Sequence, residues 1–405
     1  MKKNKSDIQQ HICRVFPNIK TLEELLQLIN DIHQHLNADY YVRKNQPVPL
    51  IKMKTLTYYK DPKLSGAKRY RKFTISKKSG KDRQILAPAK GLKLIQQCLN
   101  EIFQAFYEPN EFACGFVPNR NVADGAKKHT NQPYVYNIDL KDFFDTIVFR
   151  RVKAVLALPP FNLKDEREPL AFVIASLCCH PRQFKMTDKD GKEVVETRVC
   201  LPQGAPTSPI LTNIVCRSLD RHLAGLAKRF HAQYSRYADD ISFSCHYNIF
   251  KKDSDFIKEM HRIIEEEQNL TINTAKTRLQ TYSQRQEVTG LVVNNKVNVT
   301  KQYLKQIRQW LYYWERYGLT RAQHYFESSY AVSSQKKTSV PALDNVLAGK
   351  LDYMRMIVGE SNPAYKKMKE RYNELCGYTR KSTNQIESAP SDNIGSLLDE
   401  LLNSI

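Results

Sequence analysis

Two adjacent aspartates, Asp239 and Asp240, lie inside a strand-like segment that runs from Tyr234 to Cys245. Beyond them, apolar residues alternate with Ser242 and Ser244, which is the period-2 pattern of a strand with one buried face. The segment predicts a hairpin that presents both carboxylates at its turn. Because adjacent carboxylates repel each other, holding both ionised requires a strong positive charge nearby. A divalent cation such as Mg²⁺, which prefers oxygen ligands, supplies that charge.

An Asp-Asp pair also forms ordinary tight turns, and a second acidic segment favours the metal site. Tyr134–Leu140 is a strand-like run, and Asp139 lies where this run ends. A strand-end aspartate and two aspartates at a hairpin tip suit a two-metal phosphoryl-transfer site, in which the ions stabilise the attacking and leaving oxygens. We therefore predict that Asp139 meets Asp239 and Asp240 in the fold.

The charge balance favours a polyanionic partner. The 405 residues include 63 Lys and Arg against 42 Asp and Glu, which gives a formal net charge of +21. A membrane surface is the alternative partner, but no apolar run approaches the roughly 18 residues that span a bilayer. The N-terminus lacks the apolar core of a signal peptide. Nine cysteines without a Cys-x-x-Cys motif predict reduced thiols in a cytoplasm.

The N-terminal third of the chain predicts helices and one basic hairpin. Apolar residues at helical spacing follow Thr21, and Glu24 three residues later completes a capping-box pattern. Residues 68–88 are strongly basic and predict two strands joined by a Lys-Ser-Gly-Lys turn. A tip with charge of one sign suits a triphosphate or a nucleic-acid backbone, and solvated surface is the alternative. Phe112–His129 predicts a loop.

The remainder predicts a rigid loop, a strand and several helices. Pro and Gly residues fix the backbone of Leu201–Pro209, which can approach a ligand closely. Ile210–Phe230 predicts one helix. Val288–Val293 predicts a strand followed by an Asn-Asn turn. Thr300–Gly377 is basic and predicts a helix bundle.

Three of these segments occur in the order of the sequence blocks of reverse transcriptases. They are Asn137–Phe144, Leu201–Pro209 and Tyr237–Asp240. Over residues 68–300 the chain resembles the reverse transcriptases, and specifically those of bacterial retrons. Any one block alone is a weak signal, whereas three in the right order are a strong one.

Two shorter motifs point to the retron enzymes. Val288-Thr289-Gly290 matches the Val-Thr-Gly element by which that family recognises its own RNA. Gly125–His129 resembles the family's Asn-Ala-x-x-His element, but Gly125 stands where Asn is expected. The resemblance therefore implies an RNA-binding set that consists of Ala126, His129, Val288, Thr289 and Gly290.

The resemblance implies an α+β right-hand polymerase with fingers, palm and thumb. Two Mg²⁺ ions, with Mn²⁺ as a substitute, would be bound by Asp139, Leu140, Asp239 and Asp240, the three aspartates being catalytic. The ring of Phe144 would exclude a 2′-hydroxyl and so select deoxynucleotides. The implied nucleotide-binding residues are Lys77, Lys78, Arg83, Phe144, Gln203 and Lys276. For Lys276 a solvated surface lysine is the alternative.

The implied domains follow the order of the chain. They are an N-terminal helical extension (1–40), fingers (41–133), the first catalytic palm strand (134–149), an insertion in the fingers and palm (150–198), the rest of the palm (199–299), a helical thumb (300–378) and an acidic tail (379–405). The tail is either disordered or a docking segment.

The implied function is RNA-directed DNA synthesis within an anti-phage system. The enzyme would copy a cognate structured noncoding RNA with deoxynucleoside triphosphates, prime from a 2′-hydroxyl, and make a branched RNA–DNA hybrid. An effector protein encoded at the same locus would be its partner, and no membrane is involved. A group II intron or other bacterial reverse transcriptase is the first alternative. A non-catalytic RNA-binding defence protein is the alternative of another class.

Overall fold

The computed structural model of the protein describes residues 6–61, 68–76, 82–187, 193–333 and 340–377. The chain divides into two compact units, each built from two chain segments. Unit 1 comprises Met1–Asn121 and Pro133–Leu279, and unit 2 comprises Val122–Gln132 and Gln280–Ile405. The domain names predicted from the sequence remain predictions, and the acidic tail and Lys77 and Lys78 lie outside the described residues.

The described residues form antiparallel sheets and many helices, so the predicted α+β class is confirmed. The strands are β1 (Tyr70–Ser76), β2 (Asp82–Pro88), β3 (Tyr134–Asp139), β4 (His180–Thr187), β5 (Glu193–Cys200), β6 (Gln233–Tyr237), β7 (Asp240–Cys245), β8 (Arg278–Thr281), β9 (Glu287–Val288) and β10 (Leu291–Val292). β1 pairs with β2, as the sequence predicts, and β4 pairs with β5. The four-stranded sheet has the order β6–β7–β3–β8.

Helices surround the sheets of unit 1 and share one apolar core with them. They are Asp7–Val15, Leu22–Arg43, Met53–Lys60, Lys90–Phe106, Phe143–Thr146, Phe149–Ala157, Glu168–Cys178, Ser208–Val215, Arg217–Arg229 and Asp255–His261, the last continuing as a π-helix over Arg262–Glu267. The predicted capping box is confirmed, since the Glu24 amide donates to Thr21 Oγ1 at 3.2 Å and the Thr21 amide to Glu24 Oε2 at 3.0 Å.

Unit 2 is mainly helical. Its helices are Val122–Lys127, Lys301–Ser333, Leu343–Val358 and Pro363–Leu375, and the second of these is kinked at Gly318. No helix in the described part of the chain combines the length and apolar character of a bilayer span.

The predicted one-sided burial of β7 is wrong. Residues 241–245 are all buried, including Ser242 and Ser244. β7 lies between β6 and β3, and Ser242 faces small polar residues on both neighbours. Its hydroxyl donates to Asn137 Oδ1 at 2.8 Å, and Ser235 is its register partner on β6. Hydrogen bonding among short side chains lets this second face be buried as well.

Three boundary predictions also need correction. The predicted loop Phe112–His129 contains the short helix Val122–Lys127. The predicted helix Ile210–Phe230 is two helices that meet at Cys216. The predicted strand Val288–Val293 is instead a miniature hairpin, in which β9 and β10 flank a two-residue turn of Thr289 and Gly290 with φ values of 49° and 79°. Positive φ at both central residues is the pattern of a type I′ hairpin turn.

The buried hydroxyl of Ser242 gives a test of the sheet. Ser242→Ala removes its hydrogen bond to Asn137 and should lower the free energy of unfolding by about 1 kcal/mol, measured by urea denaturation. Ser218→Ala, on the helix Arg217–Arg229, is the control. It should leave stability unchanged or slightly higher, because Ala is the better helix former. Equal stability of Ser242→Ala and the wild type would contradict the assigned contact.

Candidate active site

The hairpin β6–β7 presents its acidic pair as predicted. Tyr237 pairs with Asp240, so Ala238 and Asp239 form the turn. The register of β3 against β7 sets Asp139 directly opposite Asp240. The Leu140 amide donates to the carbonyl of Asp239 at 3.0 Å, which ties the end of β3 to the turn. The strand pairing therefore brings the three predicted aspartates together at one end of the sheet.

Burial and mutual repulsion disfavour ionisation at this end of the sheet. Burial raises the pKa of Asp240 from 3.8 to about 7, and the charges of Asp239 and Asp139 add to the rise. Burial also raises the pKa of Asp239, with a further contribution from Asp139. Lys276 and Arg83 act in the opposite direction on Asp239. The site therefore concentrates negative charge where little solvent screens it.

Two side chains from the segment after the π-helix hold the third carboxylate. Lys276 Nζ lies 2.8 Å from Asp139 Oδ1, and Asn273 Nδ2 donates to Asp139 Oδ2 at 2.9 Å. The Asn273 amide also donates to the carbonyl of Asp139 at 2.8 Å. Lys276 is among the residues predicted from the sequence, whereas Asn273 is not, because its position in a polar stretch gives little sign of this contact.

The donor set suits a hard divalent cation. Clustered carboxylates that resist ionisation are the groups whose charge a bound cation would neutralise, and Mg²⁺ typically takes one or two carboxylates together with substrate phosphates. Among the described residues, no group of three or more His, Cys, Asp or Glu side chains is already arranged around a metal position. Asp139 is instead paired with Lys276, which a cation at this position would have to displace.

The predicted nucleotide-binding residues that the structure describes, Arg83, Phe144, Gln203 and Lys276, lie on four segments of unit 1. Arg83 is exposed on β2 and close enough to lower the pKa of Asp239. Gln203 is half-buried in the loop that follows β5, and its carbonyl accepts from the Leu86 amide at 2.8 Å. Gly204 has φ 117°, and a Cβ there would lie 2.9 Å from the Leu86 carbonyl oxygen. Glycine thus permits the close seating of this loop on β2.

An aromatic row adjoins the acidic turn. The half-buried ring of Phe144 lies 6.4 Å from that of Phe116, which lies 6.4 Å from that of Tyr237. Phe116 is 38% exposed and has φ 58°, an uncommon combination for a bulky residue. Phe116 was not predicted from the sequence, because its position within an Asn- and Gly-rich segment gives no signal of this contact.

The predicted RNA-binding residues come together in unit 2. Ala126, His129 and Val288 are buried, Thr289 is half-buried and Gly290 is exposed. Burial lowers the pKa of His129 to about 3, so its ring is neutral at physiological pH.

Backbone and amide hydrogen bonds join the segments that carry these residues. The Asn131 amide donates to the carbonyl of Asn294 at 2.9 Å, and Gln286 Nε2 donates to the carbonyl of Gln132 at 2.8 Å. Two motifs far apart in sequence thus form one structure with the turn at its surface.

Comparison with known sequences supports the polymerase motifs. Residues 75–313 match the profile of the family described as reverse transcriptase (RNA-dependent DNA polymerase). This region includes all three aspartates and exceeds half of the chain. The chain therefore belongs to the reverse transcriptase family.

Curated relatives narrow the assignment. The Retron Mx65 and Retron Mx162 reverse transcriptases of Myxococcus xanthus are each 33% identical to the chain, over 60% and 56% of its length. These matches span about half of those relatives, 55% and 48%. The Retron Ec86 reverse transcriptase of Escherichia coli is 30% identical over 59% of this chain and 68% of that protein. Within the family, the chain groups with the bacterial retron reverse transcriptases, as its motifs predicted.

Among solved structures, a telomerase from Candida albicans in complex with a fragment of telomeric RNA covers 76% of this chain and 63% of its own. The identity is 10% and the TM-score 0.42, a likeness too weak to support an argument.

The raised pKa of Asp240 predicts how pH affects stability without metal. Between pH 3.8 and about pH 7, the Asp240 carboxyl keeps its proton in the folded protein but loses it in the unfolded chain. The contribution of Asp240 to the free energy of unfolding is therefore lost as the pH rises through about 7. Asp240→Asn is neutral throughout and should be more stable than the wild type at pH 8 by a few kcal/mol. At pH 4 the difference should vanish.

Urea denaturation in a chelator at both pH values measures this difference. Asp253→Asn, at an exposed position away from the cluster, should follow the wild type at both. An Asp240→Asn protein no more stable than the wild type at pH 8 would show that Asp240 is not repelled in the fold.

Proposed function

We propose that the chain is an RNA-directed DNA polymerase that extends a primer hydroxyl with deoxynucleoside triphosphates. The observation that carries this proposal is the register of β3 against β7, which sets Asp139 opposite Asp240 beside the turn that holds Asp239. The match to the reverse transcriptase family supports it independently.

The three aspartates would hold two Mg²⁺ ions, with Mn²⁺ as a substitute, and Leu140 would complete the site at the end of β3. When bound, the metals would lower the pKa of the attacking hydroxyl and neutralise charge on the leaving oxygens. Lys276 and Asn273 keep Asp139 in place. Lys276 would move from Asp139 to substrate phosphate as the cation takes its place.

The remaining residues would position the nucleotide. Arg83, together with Lys77 and Lys78 outside the described residues, would hold the triphosphate, and Gln203 would line the pocket. The Phe144 ring has no polar atom and would fill the space that a 2′-hydroxyl needs. Phe116 packs beside it and supports this selection. Positioning of this kind can supply several kcal/mol of barrier reduction.

We propose further that the turn of Thr289 and Gly290 contacts the cognate RNA. RNA helices are read largely by shape and by contacts to 2′-hydroxyls. The half-buried Thr289 hydroxyl donates to the Val288 carbonyl at 2.8 Å and can still accept a hydrogen bond from a 2′-hydroxyl. Ala126, His129 and Val288 are buried and would support the turn of Thr289 and Gly290 from below without contacting the RNA directly.

The finer retron functions rest on the family resemblance. They are copying of a structured noncoding RNA from the same locus, priming from a 2′-hydroxyl, a branched RNA–DNA product, and anti-phage defence with an effector protein encoded nearby. Fingers, palm and helical thumb are the corresponding proposed names for residues 41–133, 134–149 with 199–299, and 300–378.

Asp239→Asn tests the polymerase proposal. It should reduce primer extension with deoxynucleotides and Mg²⁺ at least about 1000-fold, because the metal-binding charge at the turn is lost. Circular dichroism should show an unchanged fold. Asp253→Asn is the matched control and should extend normally. Normal extension by Asp239→Asn would refute the metal role.

Co-expression with the RNA encoded beside the gene tests the retron proposal. The purified chain should carry DNA joined to RNA through a 2′-hydroxyl branch. Thr289→Ala should reduce the preference for this RNA over an unrelated RNA of equal length, whereas the control Thr320→Ala, at an exposed position in the same unit, should retain it. Unbranched DNA alone would favour another kind of bacterial reverse transcriptase.

A further inference from the structure

The turn that carries Asp239 has an unfavourable backbone conformation. Ala238 has φ 56°, in the left-handed region, and is buried. For a residue other than glycine this conformation is unfavourable, because the Cβ atom lies too close to the following carbonyl oxygen. Such a conformation persists only where the surroundings over-determine it.

One buried guanidinium grips this residue. Arg236 lies two residues before Ala238 on β6 and is fully buried. Its Nη1 donates to the Ala238 carbonyl oxygen at 3.2 Å and to Asn213 Oδ1 at 3.1 Å. Its Nε and Nη2 donate to Asp220 Oδ1 and Oδ2, both at 2.7 Å. The turn is thereby tied to the helices on which Asn213 and Asp220 lie.

The carboxylate that anchors the guanidinium is itself fully engaged. Asp220 is fully buried and also accepts from the Tyr234 hydroxyl at 2.8 Å and from Asn110 Nδ2 at 2.8 Å. Buried ion pairs often contribute no more stability than well-packed apolar residues of similar volume. A guanidinium, however, has five N–H donors in a fixed fork, so this one side chain binds both oxygens of the carboxylate and the backbone carbonyl at the same time.

A second segment encloses the turn from the other side. The Arg236 amide donates to the Phe112 carbonyl at 2.9 Å, and the Cys114 amide donates to the Arg236 carbonyl at 2.8 Å. A Cβ at Gly115 would lie 2.8 Å from the Ala238 nitrogen. Asn213 connects this segment to Arg236, because its Nδ2 donates to the Gly115 carbonyl at 2.9 Å while its Oδ1 accepts from Arg236.

The gripped carbonyl and the Asp239 amide belong to one peptide plane. Fixing the carbonyl side of the peptide therefore fixes the donor on the other side. Without the hydrogen bond from Arg236, the Ala238 backbone would readily leave the left-handed conformation, and this peptide would change its orientation.

We infer that Arg236, held by Asp220 and Asn213, is a positioning residue that keeps the Ala238–Asp239 peptide oriented for Asp239 to bind a divalent cation. This inference rests on the proposed polymerase function. It assigns to the buried pair a role in metal affinity as well as in stability.

The decisive variant is Arg236→Lys. A lysine retains a positive charge beside Asp220 but lacks the fork that reaches the Ala238 carbonyl. We expect Mn²⁺ binding, followed by electron paramagnetic resonance, to weaken about tenfold. The Mg²⁺ concentration for half-maximal primer extension should rise by a similar factor.

A second substitution separates positioning from mere stability. Adding Ala238→Gly should restore at least half of the lost affinity on a logarithmic scale, because glycine adopts the left-handed conformation without the penalty. The control is Arg167→Lys. Arg167 donates to the carbonyls of Phe16 and Ile19, so its replacement should lower the melting temperature without changing Mn²⁺ affinity.

If Arg236→Lys does not fold, Asn213→Ala tests the inference in its place. This substitution removes one acceptor of Arg236 Nη1 and leaves the ion pair between Arg236 and Asp220 intact. It should also weaken Mn²⁺ binding. Mn²⁺ affinity equal to wild type in the folded variants, or no restoration by Ala238→Gly, would overturn the inference. A wild-type protein that neither binds Mn²⁺ nor extends primers would instead refute the proposed polymerase function.

Discussion

Repulsion among carboxylates is the constraint around which this protein is built. The pairing of β3 with β7 sets Asp139 opposite Asp240, and the hairpin turn adds Asp239 to the same end of the sheet. Lys276 relieves part of the repulsion at Asp139. Arg278 and Lys276 also act to lower the pKa of Asp240, but burial and the two neighbouring carboxylates outweigh them and raise it to about 7. A fold that accepts this cost suits the divalent cation that we propose binds here.

Hydrogen bonds from the surrounding residues hold the aspartates in place despite this cost. The hydrogen bonds of Arg236 with Asp220, Asn213 and the Ala238 carbonyl oppose the intrinsic preference of the turn. At the end of β3, Asn273 donates hydrogen bonds to both the backbone carbonyl and the carboxylate of Asp139. The acidic groups therefore lie on strand ends that are held from several directions, and rigid placement of this kind is what phosphoryl transfer requires.

Local patterns predicted the strands and the acidic turn because periodicity and turn residues act over a few positions. They could not predict that Ser242 is buried, since that depends on small polar partners on both adjacent strands. Nor could they relate Asp220 to Arg236, which lie on different elements. The turn at Thr289 and Gly290 was missed because an Asn-Asn pair is the better turn former. The predicted turn at Asn294 is present as well, since Val292 and Asn298 pair antiparallel across it. The Asn294 side chain binds the Gln284 carbonyl and the Gln286 amide.

The discontinuity of unit 2 has a consequence for biosynthesis. Gln132 and Gln286 are 154 positions apart, yet the Gln286 side chain donates to the Gln132 carbonyl. On the ribosome, the segment Val122–Gln132 emerges long before the hairpin β9–β10 and must wait for it while the intervening chain is translated. Closing so long a loop is entropically costly and slow. The part of the protein that we propose reads RNA is therefore completed late, after the strands that carry all three aspartates have been made.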